Sequence, residues 1–273
     1  MQGKYFVLTA DIGDSENGFT KSIGDEDHPF KGHFDGLGHT VTLNINNTQT
    51  KYVGLFGHIE SSAVICNVNT AGRVEGHTPA GICALADYGT IFNCSNSATI
   101  IGSGAFGAGG ICAFGCPTII NCYNSGEVSG AGMSVGGIYG LGDGKTTNSY
   151  YDNAKATGGA GGTGLSTYLM QLNPADTLTG LLNSYIANNP DTTAGACKWE
   201  ATKDGYPRLV PATAKEDENG LNTGSALSEG NMTIIIAIAA AVLFGLGGFF
   251  VGNAFSKKKK LAPVAATSSE DDE

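Results

Sequence analysis

Five histidines, seven cysteines and a scatter of aspartates are the residues of this chain that could do chemistry, and their spacing decides which chemistry is open to them. Zinc hydrolysis on a helix needs HExxH, where two histidines one turn apart hold the metal and the glutamate activates water. His28, His33, His39, His58 and His77 contain no such pair. Each sits in a Gly-rich turn or strand setting, so solvent-facing turn histidines are expected, and no metal site. The cysteines contain no CxxC; Cys112 and Cys116 come nearest, with three residues between them, which excludes zinc-ribbon spacing. Polysaccharide cleavage needs two or three carboxylates grouped on one face. Asp87, Asp143 and Asp152 stand near turn glycines of different sequence copies without a common register, and Asp35-Gly36 and Asp143-Gly144 read as turns. Phosphate loops of GxxxxGK[ST] type, GxSxG elbows and GGxGxD calcium nonapeptides are absent. The expectation is a chain with no catalytic residue, no cofactor and no metal.

The elements that carry these residues are set by an internal repeat. Copies begin VGLFGHIESSAVICNVNTAGRVEG at Val53, AGICALADYGTIFNCSNSATIIG at Ala80, GGICAFGCPTIINCYNSGEVSG at Gly109 and GGIYGLGDGKTTNSYYDN at Gly136. Gly54, Gly81, Gly110 and Gly137 recur at intervals of 27, 29 and 27 residues, and Asn67, Asn93, Asn121 and Asn148 at 26, 28 and 27. A period of this size marks a solenoid, in which each unit leaves an apolar face open until the next stacks on it. Short runs such as Tyr52 to Phe56 and Thr118 to Ile120, broken every five to seven residues by Gly, Asn or Ser, predict strands joined by tight turns. Three short strands per turn make an all-β parallel β-helix of about four to five coils the economical arrangement. The asparagines fall just past an apolar run, where they suit left-handed turn geometry and can bond one another along the axis. Cys83 with Cys112, and Cys94 with Cys122, share repeat positions and predict ladders of buried small side chains.

These motifs resemble the GLUG repeats of bacterial surface proteins, found in adhesin-like proteins and beside IgA1-cleaving zinc metallopeptidases. The likeness includes an opening run, YFVLTADI at Tyr5, PFKGHFDGLGHTVTLNI at Pro29 and KYVGLFG at Lys51. It also includes a closing run, LSTYLMQL at Leu165, LLNSYIANNP at Leu181 and Trp199 with GYPRL at Gly205. The resemblance implies a cell-surface β-solenoid.

Glycine is abundant, 42 of 273 residues, and the net charge of −10 argues against nucleic acid, which needs clustered Lys and Arg. Met232 to Gly252 is free of charge and long enough to span a bilayer. Lys257 to Lys260 follow it and predict a cytoplasmic side there, with the repeats outside the cell. Gly248 and Gly252 form a GxxxG that suits weak self-association. No basic, apolar and cleavable leader precedes Tyr5, so the chain is expected either to continue a longer one or to be inserted by its C-terminal helix. Asn46, Asn93 and Asn231 match the glycosylation pattern, Asn93 from inside the expected ladder.

The expected organisation is a β-helix over residues 1–156 and a Gly-rich linker over 157–164. A small mixed segment with short helices follows at 165–210, expected as a cap over the open end of the last coil, with an independent small subdomain as the alternative. A polar stalk at 211–231, one transmembrane helix at 232–252 and a tail at 253–273 complete it. The expected role is a membrane-anchored structural or adhesive module meeting an extracellular glycan or protein. A polysaccharide-active enzyme and the C-terminal part of a larger surface peptidase are the alternatives.

Overall fold

The computed structural model describes residues 3–132, 134–172, 177–202 and 205–210, together with a short antiparallel pair, Lys215–Glu216 and Asn222–Thr223. The apolar run 232–252 with Gly248 and Gly252, the tail 253–273 and most of the stalk lie outside the described residues. Among the described residues no helix is long and apolar enough to cross a membrane.

The described chain winds as a parallel β-solenoid of about five turns with three walls. Wall one stacks Tyr5–Val7, His33–Asp35, Val64–Cys66, Thr90–Phe92, Thr118–Ile120 and Lys145–Thr147. Wall two begins with the long strands Thr40–Val53 and Asn69–Pro79, continues through shorter segments and ends at Tyr150–Asp152 and Thr163–Leu165. Wall three stacks Phe56–Ile59, Cys83–Ala86, Cys112–Gly115 and Tyr139–Gly142. The first turn joins walls two and three only through single bridges, such as Ile12 to Val41 and Phe30 to Ile59.

Alternation along each short strand sends one row of side chains inward. In wall one that row is Phe34, Ile65, Ile91 and Ile119; in wall two it is Ile45, Val74, Ile100 and Val128. Leu55, Ile82, Ile111 and Ile138, each next to a repeat glycine, are buried as well. A fully buried isoleucine or leucine contributes about 1.5–3 kcal/mol, so stacking of copies supplies the stability that no single copy has. Cys83 pairs with Cys112 across wall three, and the Cys94 N–H donates to Cys122 Sγ at 3.4 Å. Both pairs are buried thiols inside the coil.

The repeat glycines have a steric cause. A Cβ on Gly81 would meet Asn96 Oδ1 at 2.3 Å, one on Gly110 would meet Gly137 O at 2.1 Å, and one on Gly137 would meet the Tyr151 ring at 2.3 Å. Asn96 and Asn124 occupy adjacent rungs of an inward row, and Asn96 Nδ2 donates to Asn124 Oδ1 at 2.7 Å. Only hydrogen fits between that row and the next coil.

The two stretches after the last copy both depart from the expected roles. The glycine-rich stretch 157–164 does not hang as a linker. The Gly137 N–H donates to Thr157 O at 2.6 Å, the Ala160 N–H donates to Tyr139 O at 2.8 Å, and Thr163–Leu165 pairs in parallel with Tyr150–Asp152. It covers wall three where the last coil would otherwise present an unpaired strand edge. Gly159, at φ +60°, makes this approach; a Cβ there would lie 2.4 Å from Tyr139 O. The segment 165–210, expected as an end cap, runs along the flank instead. It contributes α1 (Thr167–Gln171), α2 (Leu178–Asn188) and a hairpin of Trp199–Thr202 with Gly205–Leu209. Met170, Leu178, Leu182, Trp199 and Leu209 pack on Tyr123 from the solenoid.

Candidate functional site

The corner between walls one and two holds the four repeat asparagines. Asn67, Asn93, Asn121 and Asn148 all adopt the left-handed conformation, with φ between 45° and 54°. This turns the chain out of each wall-one strand, a geometry that asparagine tolerates better than most residues. Their amides form one continuous ladder. Asn93 Nδ2 donates to Asn67 Oδ1 at 2.8 Å, Asn121 Nδ2 to Asn93 Oδ1 at 2.8 Å and Asn148 Nδ2 to Asn121 Oδ1 at 2.6 Å. Asp35 receives the first rung from Asn67 Nδ2 at 3.0 Å.

A primary amide has two donors and two acceptor positions, so the ladder leaves half of each asparagine unused. At Asn67 and Asn93 the flanking lobe uses it. Asn67 accepts from the Cys197 N–H at 2.9 Å and donates to Gly195 O at 2.9 Å. Asn93 donates to Cys197 O at 2.9 Å and accepts from Trp199 Nε1 at 2.7 Å. This is the reason the lobe lies on the flank: the corner offers a row of buried amides that must be satisfied.

The lobe is held at a second point by Asp152, which is fully buried. Its carboxylate accepts from the hydroxyls of Tyr206 and Thr167 and from the Ala154 N–H. Burial pushes the carboxyl up, but these hydrogen bonds and the Lys155 charge outweigh it and hold the group below its ordinary value of 3.8. A depressed folded value means that the contribution is complete above the ordinary aspartate range and is lost as pH falls through the folded value. The lobe is therefore expected to loosen in acid. Trp199, the single tryptophan, reports it: its fluorescence should shift to the red below about pH 4 before the far-ultraviolet signal of the coil is lost. In Asp152→Asn the acid step should vanish, and a wild-type shift that tracks the loss of the coil would refute the ordering.

Beside this corner, on the outer face of wall one, the coil gathers His33, Asp35 and Cys66. His33 and Asp35 alternate around inward Phe34, so both project outward, and Cys66 is the register partner of Asp35 one turn later. Their donor atoms lie within 4.8 Å of one another, with Cys66 Sγ 3.4 Å from His33 Nε2. Burial pushes the His33 imidazole down despite the Asp35 charge, and pushes both the Asp35 carboxyl and the Cys66 thiol up. His33, expected as a turn histidine, and Asp35, expected in a turn, thus form one cluster with Cys66, to which the sequence reading gave no role. The signal was present in the pattern His-x-Asp followed by a cysteine 31 residues after Asp35.

Wall three has its own polar corner. His58, expected in solvent, is 7% exposed, and its Nε2 lies 3.0 Å from Asp87 Oδ2. Ile59, Ala86, Gly115 and Gly142 are in register, so Asp87 and Asp143 follow the same wall position two turns apart, contrary to the expectation of no common register. Two turns correspond to about 10 Å. Asp152 belongs to wall two and is committed to the lobe. Along the outer face of wall three Leu85 stacks on Phe114, and the Phe114 ring meets Tyr52 at 6.5 Å and Phe106 at 5.1 Å. The Lys51 ammonium lies over both Tyr52 and Phe106, and Tyr88 stands 70% exposed beyond this strand row.

No family model matches the chain. Halomucin of Haloquadratum walsbyi is 32% identical over 115 residues, which are 37% of this chain and 1% of halomucin. A candidate Gly-rich membrane protein of Evansella cellulosilytica is 36% identical over 105 residues, 34% of this chain and 12% of that protein. The matched stretches are thus a small part of the length of either relative. Among solved structures, a candidate immunoglobulin A1 protease from Bacteroides ovatus superposes with a TM-score of 0.47 at 20% identity, covering 75% of this chain and 85% of that one.

Proposed function

We propose that this chain is a membrane-anchored, extracellular β-solenoid that serves as a structural or adhesive module of the cell surface, without catalysis of its own. The observation that carries this reading is the continuous asparagine ladder with its flanking lobe. It commits the polar groups of one corner to holding successive turns in line, as a spacer or a binding wall requires. The apolar run 232–252 and Lys257 to Lys260 support the anchor, and one relative is described as a membrane protein. The GLUG resemblance supports the surface setting.

The binding face of such a module is the aromatic row on wall three, where Phe106, Phe114 and Lys51 offer ring faces and a cation to an extended glycan. The full chain in detergent should retain extended polysaccharides on an array, and Phe106→Ala with Lys51→Ala should weaken retention by about tenfold. Equal binding by the double variant would remove this face from consideration. A flat array would remove adhesion and leave the spacer role. Protease treatment of intact cells checks the topology: cleavage should reach the coil and spare an epitope placed after Lys260.

The register of Asp87 and Asp143 favours a second reading, a polysaccharide-active wall. Release of reducing ends from acidic polysaccharide by the wild type, lost in Asp143→Asn, would establish it in place of the first.

A further inference from the structure

We propose that His33, Asp35 and Cys66 form a binding site for a borderline-soft divalent cation of the zinc class, with three protein ligands and one open position facing solvent. The site goes beyond the surface role and does not depend on it. Three observations carry it: the donor set, its spacing and the way its ligands are oriented.

Imidazole nitrogen, carboxylate oxygen and thiolate sulfur together are the ligand types that zinc accepts, whereas calcium and magnesium require oxygen. Tetrahedral bonds of about 2.3 Å to sulfur and about 2.0–2.1 Å to nitrogen place those two atoms about 3.6 Å apart. Cys66 Sγ and His33 Nε2 are 3.4 Å apart, and all three donors fall within 4.8 Å. Closing the widest separation takes a small side-chain adjustment of His33 or Asp35, both partly buried on the outer face.

The carboxylate is already oriented. Asp35 Oδ1 accepts from the Leu37 N–H at 2.8 Å and from Asn67 Nδ2 at 3.0 Å, and the Cys66 thiol hydrogen-bonds to the same carboxyl, a contact that an ion would replace when the thiol gives up its proton. Fixing of a ligand by neighbouring hydrogen bonds is characteristic of protein metal sites. Among the described residues no lysine or arginine pairs with Asp35, so the cluster collects anion-prone groups without a cation of its own. Cys66 is buried while its two partners reach solvent, which leaves the outer side for a water ligand. The ligands come from consecutive turns, so the ion would clip the second turn to the third beside the lobe.

Cobalt titration of the full chain under reducing conditions tests this. One equivalent of Co²⁺ should produce a sulfur-to-metal charge-transfer band and the visible bands of a tetrahedral ion, displaced by Zn²⁺. Cys66→Ser and His33→Gln should each weaken binding by on the order of 100-fold. Cys116→Ser, which changes a partly buried thiol elsewhere, should bind as the wild type does. X-ray absorption of the zinc-loaded wild type needs no variant to fold, and it should show one sulfur at about 2.3 Å with nitrogen or oxygen in the remaining positions. No cobalt band in the reduced wild type, an unchanged band in folded Cys66→Ser, or a zinc shell without sulfur would each overturn the site.

Discussion

Asn93→Ala is expected to destabilise the solenoid by about 5 kcal/mol, enough to unfold a domain of ordinary stability. The side chain is fully buried and makes four hydrogen bonds, two along the ladder to Asn67 and Asn121 and two across to Cys197 and Trp199. Truncation strands all four partners, each at a cost of about 1–3 kcal/mol before relaxation. Alanine would also be left at φ +53°, which adds about 1 kcal/mol. Asn93→Gly separates the two contributions: it removes the backbone strain and keeps the broken ladder, so it should recover only about 1 kcal/mol. Urea unfolding followed by circular dichroism measures both. If Asn93→Ala costs less than about 1 kcal/mol, the ladder is decorative and the corner is held by its backbone alone.

Gly110→Ala is the second large effect, for a different reason. The new methyl would sit 2.1 Å from Gly137 O and 2.4 Å from Asn124 Cγ. The carbonyl belongs to the next coil and cannot yield without shifting a strand of wall three. A cost of about 3 kcal/mol or more is expected, at the upper end for overpacking. Gly158→Ala is the matched control: its nearest neighbour would be the Tyr151 hydroxyl at 3.4 Å, an ordinary contact. Thermal midpoints of the two variants should differ by several degrees. Equal midpoints would show that the coils are spaced more loosely than the fold requires.

Much of this architecture is visible in the chain itself. The period of Gly54, Gly81, Gly110 and Gly137 predicts stacked turns because a repeated close approach demands the same residue at each copy. Asn67, Asn93, Asn121 and Asn148 predict a corner because few other residues accept left-handed backbone there. The helical spacing after Leu165 likewise emerges as α1 and α2. What the pattern conceals is anything set by contacts between copies and the distant tail. The bond from Cys197 to Asn67 spans 130 residues, and local spacing carries no trace of it. For the same reason 157–164 and 165–210 take places other than those expected: glycine richness suggests slack, yet at Gly159 it permits close approach to the last coil, and the lobe is drawn to the flank by bonds to distant copies.

The cluster of His33, Asp35 and Cys66 lies between these cases. Alternation already places His33 and Asp35 on one face, but Cys66 joins them only through the register of the third turn, in a part of the chain where the copies are least alike. Asp87 and Asp143 were not concealed at all: each stands six residues after its repeat glycine, Gly81 and Gly137, so the position they share on the wall is written in the repeat and the expectation of no common register overlooked it.

The flanking lobe also has a mechanical consequence. A pull from beyond Val210 would meet first the bonds of Pro207 to Tyr123 and of Tyr206 to Asp152, and then those of Trp199, Cys197 and Gly195 to Asn93 and Asn67, which stand in sequence along the corner. Such a seam is loaded one rung at a time, so it opens by peeling at modest force. The coils behind it, whose strand ladders share load in parallel, stay wound. The lobe would then act as a sacrificial fastening that yields first and can re-engage when tension falls.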